Sequence, residues 1–205
     1  MEIRKVTLEG YTATIEPDRT VTIDRAGERI AEARWDEKRG MIYGDGGALT
    51  PAEIAEWSAA LRATPPRPMT CDEIYARIGI ADMEALTHWR ELADEDSIHL
   101  GGRGRSRAQM IAAAYAWDSL SETARTIYFS MLYAAERELV AAIRKKGIPD
   151  HINAPIDSPV DAIHAIYNLL GPSHPALQIL SSHELVTLYL DAIQEVELEE
   201  GERTT

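Results

Sequence analysis

The chain has 205 residues, 45% of them hydrophobic and 27% charged, and its 21 Lys and Arg against 34 Asp and Glu leave a net charge of −13. This length holds one large domain or two small ones, and the composition is that of a globular protein. The charge excludes a uniformly basic nucleic-acid binder, and the lone Cys71 excludes an intramolecular disulfide and a cysteine-based zinc site.

Residues 2–43 read as strands. Val6, Leu8, Tyr11, Ala13 and Ile15 recur at spacings close to two, with Gly10 as a bend or bulge. Pro17-Asp18 and Ala26-Gly27 mark turns around the alternating Val21 and Ile23. Ile30, Ala31, Ala33 and Trp35 follow less regularly, and Lys38-Arg39-Gly40 turns the chain into Met41-Ile42-Tyr43. Short strands joined by short turns predict an antiparallel meander. Thr50-Pro51-Ala52-Glu53 is a capping box with proline at the first helical position. The helix it opens has an apolar stripe of Ile54, Trp57, Ala60 and Leu61 and is expected to cover the meander.

Three prolines within Thr64-Pro65-Pro66-Arg67-Pro68 exclude a helix and predict a stiff linker. After it the strand signals stop. Thr70-Cys71-Asp72-Glu73 opens a short helix to about Ile78, which Gly79 ends, and a second helix is expected from about Asp82 to Ala93. The loop Gly101-Gly102-Arg103-Gly104-Arg105 leads to Ser106-Arg107-Ala108-Gln109, which opens a helix to about Trp117. Ser121 is placed to cap a long helix 121–146. Its stripe is Ala124, Ile127, Tyr128, Met131, Leu132, Ala135, Leu139, Ala142 and Ile143. Ser158-Pro159 starts the next helix and Gly171-Pro172 ends it. A helical turn is expected near Pro175–Leu180, and Ser181 or Ser182 opens a last helix with Leu185, Leu188, Tyr189, Ala192, Ile193 and Val196 on one face.

The expected fold class is therefore α+β. Residues 1–63 form a meander with one covering helix, 64–69 the proline-rich linker, 70–198 a larger all-helical domain and 199–205 a disordered acidic tail. Acidity gathers at the C-terminal end, where residues 151–205 carry 1 basic and 9 acidic groups. The sequence shows no apolar signal core and no run of about 18 apolar residues, so no membrane association is expected and the chain is read as cytoplasmic.

Residues 71–89 resemble a helix-turn-helix of the short type found in bacterial repressors and in transposase or excisionase N-termini. Ile74 and Ile78 take the part of the apolar first helix, Gly79 that of the sharp turn, Ile80 that of the apolar residue after it, and Leu86 and Trp89 that of the packed second helix. The resemblance implies a DNA-binding regulator or accessory factor of bacterial or phage type.

Arg103, Arg105 and Arg107 lie among Gly and Ser just before a helix start, a pattern that can grip phosphate with help from backbone N–H groups. With Arg90 on the second helix, they are the candidate nucleic-acid or anion contacts. The order of residues here matches neither a nucleotide P-loop nor a dinucleotide fingerprint. Asp161 and His164 lie three apart on one helix, without a second pair to complete a metal site. Cys71 would need a nearby base to act as a nucleophile. No catalytic residue, metal site or cofactor is assigned, and the chain is read as a non-enzyme.

Two functional readings follow. The first is a nucleic-acid-directed regulatory or accessory protein built on the helix-turn-helix-like unit. The second is an acidic inhibitor or adaptor that binds a protein or nucleoprotein complex, with a surface that imitates nucleic acid. Small size, acidic surface and lack of catalytic motifs resemble phage anti-defence proteins, including anti-CRISPR proteins. Asp82 and Glu84 at the start of the second helix belong with this second reading. Helix 121–146 could also pair with a copy of itself and make a homodimer.

Overall fold

The computed structural model describes residues 1–94, 107–147 and 159–203. Its architecture is α+β, an antiparallel sheet followed by helices. The chain divides into two compact units, Met1–Met69 and Thr70–Thr205.

The first unit is a meander of β1 (Glu2–Leu8), β2 (Tyr11–Ile15), β3 (Thr20–Arg25), β4 (Glu28–Asp36) and β5 (Met41–Tyr43), crossed by α1 (Pro51–Ala63). Each strand pairs antiparallel with the next. One face of the sheet carries Ala13, Ile15, Val21, Ile23, Ala31, Ala33, Trp35 and Ile42, and it buries them against Trp57 and Leu61 of α1. The capping box at Thr50 and Glu53 is formed in both directions. Buried Ser58 of α1 accepts a hydrogen bond from the Ile42 backbone N–H at 3.0 Å and so ties the helix to the edge strand.

Local features sharpen or correct these expectations. Gly10 is the bend rather than a bulge. Glu9 and Gly10, with φ of 50° and 83°, form the two-residue turn of a hairpin that pairs Leu8 with Tyr11. The spacing of two widens to three between Leu8 and Tyr11, because residues that pair across a two-residue loop stand on the same face of the sheet. The bulge lies instead at Ile30, where Ile23 pairs with Ala31 but Asp24 pairs with Arg29. That extra residue is why the pattern around Ile30 and Ala31 reads as irregular. The proline-rich segment 64–69 is more than a linker. Arg67–Pro68 forms β6, which pairs with β1 and gives the sheet order β5-β4-β3-β2-β1-β6. Proline tolerates this place because an edge strand need not donate on its outer side.

The second unit is helical among the described residues. Its elements are α2 (Cys71–Tyr75), α3 (Ile80–Asp94), α4 (Arg107–Asp118), α5 (Glu122–Lys146), α6 (Pro159–Leu170), α7 (Ala176–Ile179) and α8 (Ser182–Arg203). Helix α5 is the axis, and α2, α3, α6, α7 and α8 all pack on it. Ser121 caps its start by accepting from the Ala124 N–H at 2.9 Å. At its end, Lys146 donates to the carbonyls of Asn168 and Leu169 and thereby caps α6 as well. Of the stripe read for α5, Ala124, Ile127, Tyr128, Met131, Ala135, Leu139 and Ile143 are buried. That face is consumed inside the unit. The residues expected as a disordered tail begin as helix, since α8 runs on to Arg203.

Candidate functional site

The candidate arginines do not converge among the described residues. Arg103 and Arg105 lie outside those residues, and Arg107 is described only as the first residue of α4. Arg90 is engaged within the fold. Its Nε donates to Asp94 at 3.3 Å and its Nη1 to the Gln178 carbonyl at 3.1 Å. The other oxygen of Asp94 accepts from the Ser182 N–H at 2.7 Å, so Arg90 and Asp94 together join α3 to the start of α8.

The helix-turn-helix-like segment has the expected order of helix, Gly79 and helix. Its first helix packs on α5, and its second packs on both α4 and α5. Helix α2 has five residues, with Cys71 and Ile74 buried, and α3 buries Leu86, Trp89 and Ala93. Trp89 stacks at 5.1 Å from Trp117 and at 4.9 Å, edge-on, from Tyr128. Ile80, expected to pack, is 80% exposed. Asp82 accepts from the Ser121 hydroxyl at 2.8 Å and anchors the start of α3 to the start of α5. The outward face of α3 carries Ala81, Glu84, His88 and Glu91.

A second cluster joins residues far apart in sequence. Cys71, Glu138 and His174 bring a thiol, a carboxylate and an imidazole within 4.8 Å of one another. Glu138 accepts from the Cys71 backbone N–H at 2.9 Å and lies 2.8 Å from His174 Nε2. The Ala176 N–H donates to His174 Nδ1 at 3.3 Å. That bond makes Nδ1 the acceptor and leaves the proton on Nε2, turned toward Glu138. Burial pushes the Glu138 carboxyl up, but its bonds with His174 and Cys71 outweigh this and hold it below the usual value. Burial, and then the Glu138 charge, push the Cys71 thiol far up.

This set is poorly suited to nucleophilic catalysis. The thiol is fully buried and held protonated, and neither imidazole nitrogen is available to take its proton. It is also poorly suited to a metal. Coordination through Nε2 would move the proton to Nδ1, where it would face the Ala176 N–H. The cluster is a hydrogen-bonded lock that pins α2 and the turn before α7 to α5. Glu138 and His174 escaped the sequence reading because they lie 67 and 36 residues from their partners.

The feature most suggestive of a contact surface is α4. From Ala108 to Trp117 it carries no charged residue, yet Met110, Ile111 and Tyr115 are 49%, 52% and 75% exposed. Between α3 and α4 runs an open groove of about 520 Å³. Ala85, Leu92, Ala112, Ala116 and Leu120 make its apolar lining, and His88, Tyr115 and Ser119 supply its polar groups. The uncharged run from 108 to 117 was the available sequence signal, but it reads equally well as a buried helix. Comparison of the chain with protein-family models, with curated proteins and with solved structures finds no match.

Proposed function

We propose that this chain is a non-enzymatic adaptor or inhibitor that acts by binding another protein, and that the α3–α4 groove seats an amphipathic helix of that partner. The observation that carries this reading is the open, mostly apolar groove between α3 and the uncharged helix α4, with Tyr115 of its wall 75% exposed. A helix apolar on most sides is stable when covered, and a concentrated apolar patch on a surface is a recognition feature. Ala85, Ala112 and Ala116 have short side chains, so a third helix can approach closely. The net charge of −13 favours encounter with a basic surface, the kind that nucleic-acid-handling proteins present.

The nucleic-acid reading draws less support from the same residues. Glu84 and Glu91 on the outward face of α3 would repel phosphate, and Arg90 is turned inward. Its remaining support is Arg103 and Arg105, outside the described residues, and Arg107, described only as the first residue of α4.

Affinity capture from the native host separates the two readings. A protein partner retained by the wild type after nuclease treatment should be lost with Ala112→Glu, with the helical circular dichroism unchanged. Equal retention by the variant overturns the groove. Binding of DNA or RNA by the purified chain at low salt, with no nuclease-resistant protein partner, overturns the adaptor reading in favour of nucleic acid.

A further inference from the structure

The first unit holds a cleft of its own, of about 260 Å³, at the end of the sheet where α1 begins. Its walls are apolar and aromatic. Buried Trp57 and half-buried Leu49 line it from the helix side, and half-buried Leu8 and Tyr11 line it from the sheet. The charged residues that line it, Glu9, Glu53 and Glu56, are all acidic and all exposed.

Two irregularities of the sheet fall at this one place. Glu9 stands at φ 50°, the left-handed region where a hairpin turn favours Asn or Gly, and it is one of the residues that line the cleft. The β4 bulge carries Ile30, 44% exposed, to the same cleft. Bulges recur beside functional sites because they re-aim a side chain. The Tyr11 ring is already engaged, since the Arg25 guanidinium lies 5.1 Å from its centre. Glu53 is partly engaged, as one of its oxygens accepts from the Thr50 N–H at 2.7 Å and from the Thr50 hydroxyl at 2.6 Å. Glu9 and Glu56 are therefore the carboxylates best placed for an incoming charge.

We infer that this cleft binds a basic side chain, lysine or arginine, of a partner protein. The aliphatic stem lies against Trp57, Leu49 and Leu8, and the cationic head meets Glu9 and Glu56. Lysine and arginine carry this division of an apolar stem and a charged head in one side chain. The inference does not rest on the α3–α4 groove, which is made of other residues in the other unit.

The test is a titration of the full chain followed by amide and indole resonances. The probes are n-butylammonium, n-butylguanidinium, the neutral isostere 1-butanol, and a capped Gly-Lys-Gly peptide. Saturable shifts at the Trp57 indole N–H and the Leu49 amide are expected with both cations and with the peptide, and much weaker ones with butanol. Replacing both rim groups, Glu9→Gln with Glu56→Gln, should weaken the cations on the order of fivefold, as loss of two exposed ion pairs implies. Absence of saturable shifts with the cations, butanol binding as tightly, or an unchanged affinity in the double variant overturns the site. Binding of the free cations with exclusion of the peptide overturns the side-chain occupant.

Discussion

Glu138 shows how one residue can join distant parts of a fold. Its carboxylate meets the backbone of Cys71, at the start of α2, and the ring of His174, just before α7. Removing it leaves buried donors without an acceptor, a loss that typically costs about 1–3 kcal/mol. The pH dependence follows from the lowered carboxyl value. A depressed folded value means stability fully present above the ordinary value of 4.5 and lost as pH falls through the lower folded value. Urea denaturation should therefore find Glu138→Gln less stable than wild type at pH 7, with the gap narrowing steadily below pH 4.5. A gap that stays constant into acid would show that the charge of Glu138 is not what holds the lock.

At the scale of elements, α4 and α5 are opposites built from similar residues. Helix α5 has nine buried positions spaced at helical period and neighbours along much of its length. Helix α4 has an apolar sequence but packs chiefly on α3. Leu139, fully buried in α5, should cost about 2–5 kcal/mol when cut to alanine, through lost burial and the cavity left behind. Tyr115→Ala in α4, at a position 75% exposed, should stay within about 0.5 kcal/mol of wild type. Chemical denaturation of the two variants checks the contrast. A large loss for Tyr115→Ala would mean that α4 contributes to folding rather than to contact. The apolar stripe of α5 is spent within its own unit, so a homodimer through helix 121–146 would have to use the outward side, where Phe129 and Tyr133 are exposed.

For the whole molecule, the boundary between the units falls after Met69. Residues 64–69 therefore belong with the sheet, because Arg67 and Pro68 pair with Ile3 and Glu2 and the Met69 N–H donates to the Met1 carbonyl at 3.2 Å. A fragment ending at Met69 should resist limited proteolysis longer than one ending at Ala63, because the shorter fragment leaves the hydrogen-bonding edge of β1 open. Equal digestion rates would return the segment to the status of a linker. No helix among the described residues is long and apolar enough to cross a membrane. The charge of the second unit is spread unevenly along the chain, and Glu195 of α8 already pairs with Arg144 at 3.0 Å. Imitation of nucleic acid thus draws little from that carboxylate, and the contacts we propose lie instead at the α3–α4 groove and the acid-rimmed cleft of the first unit.

By itself, the sequence determined the α+β class, the order of elements apart from β6, and the starts of α1, α2 and α5. These depend on local chemistry: alternation of side chains, capping oxygens three residues from an N–H, and proline or glycine where the backbone must turn. The tertiary structure alone decided that Arg67–Pro68 completes the sheet, that Ile30 sits on a bulge, and that Glu138 and His174 close over Cys71. It also decided that α4 keeps an apolar flank in water while the equally apolar stripe of α5 is buried. Those outcomes depend on which surfaces meet across long stretches of chain. Periodicity says that a face is apolar, but only packing says what covers it.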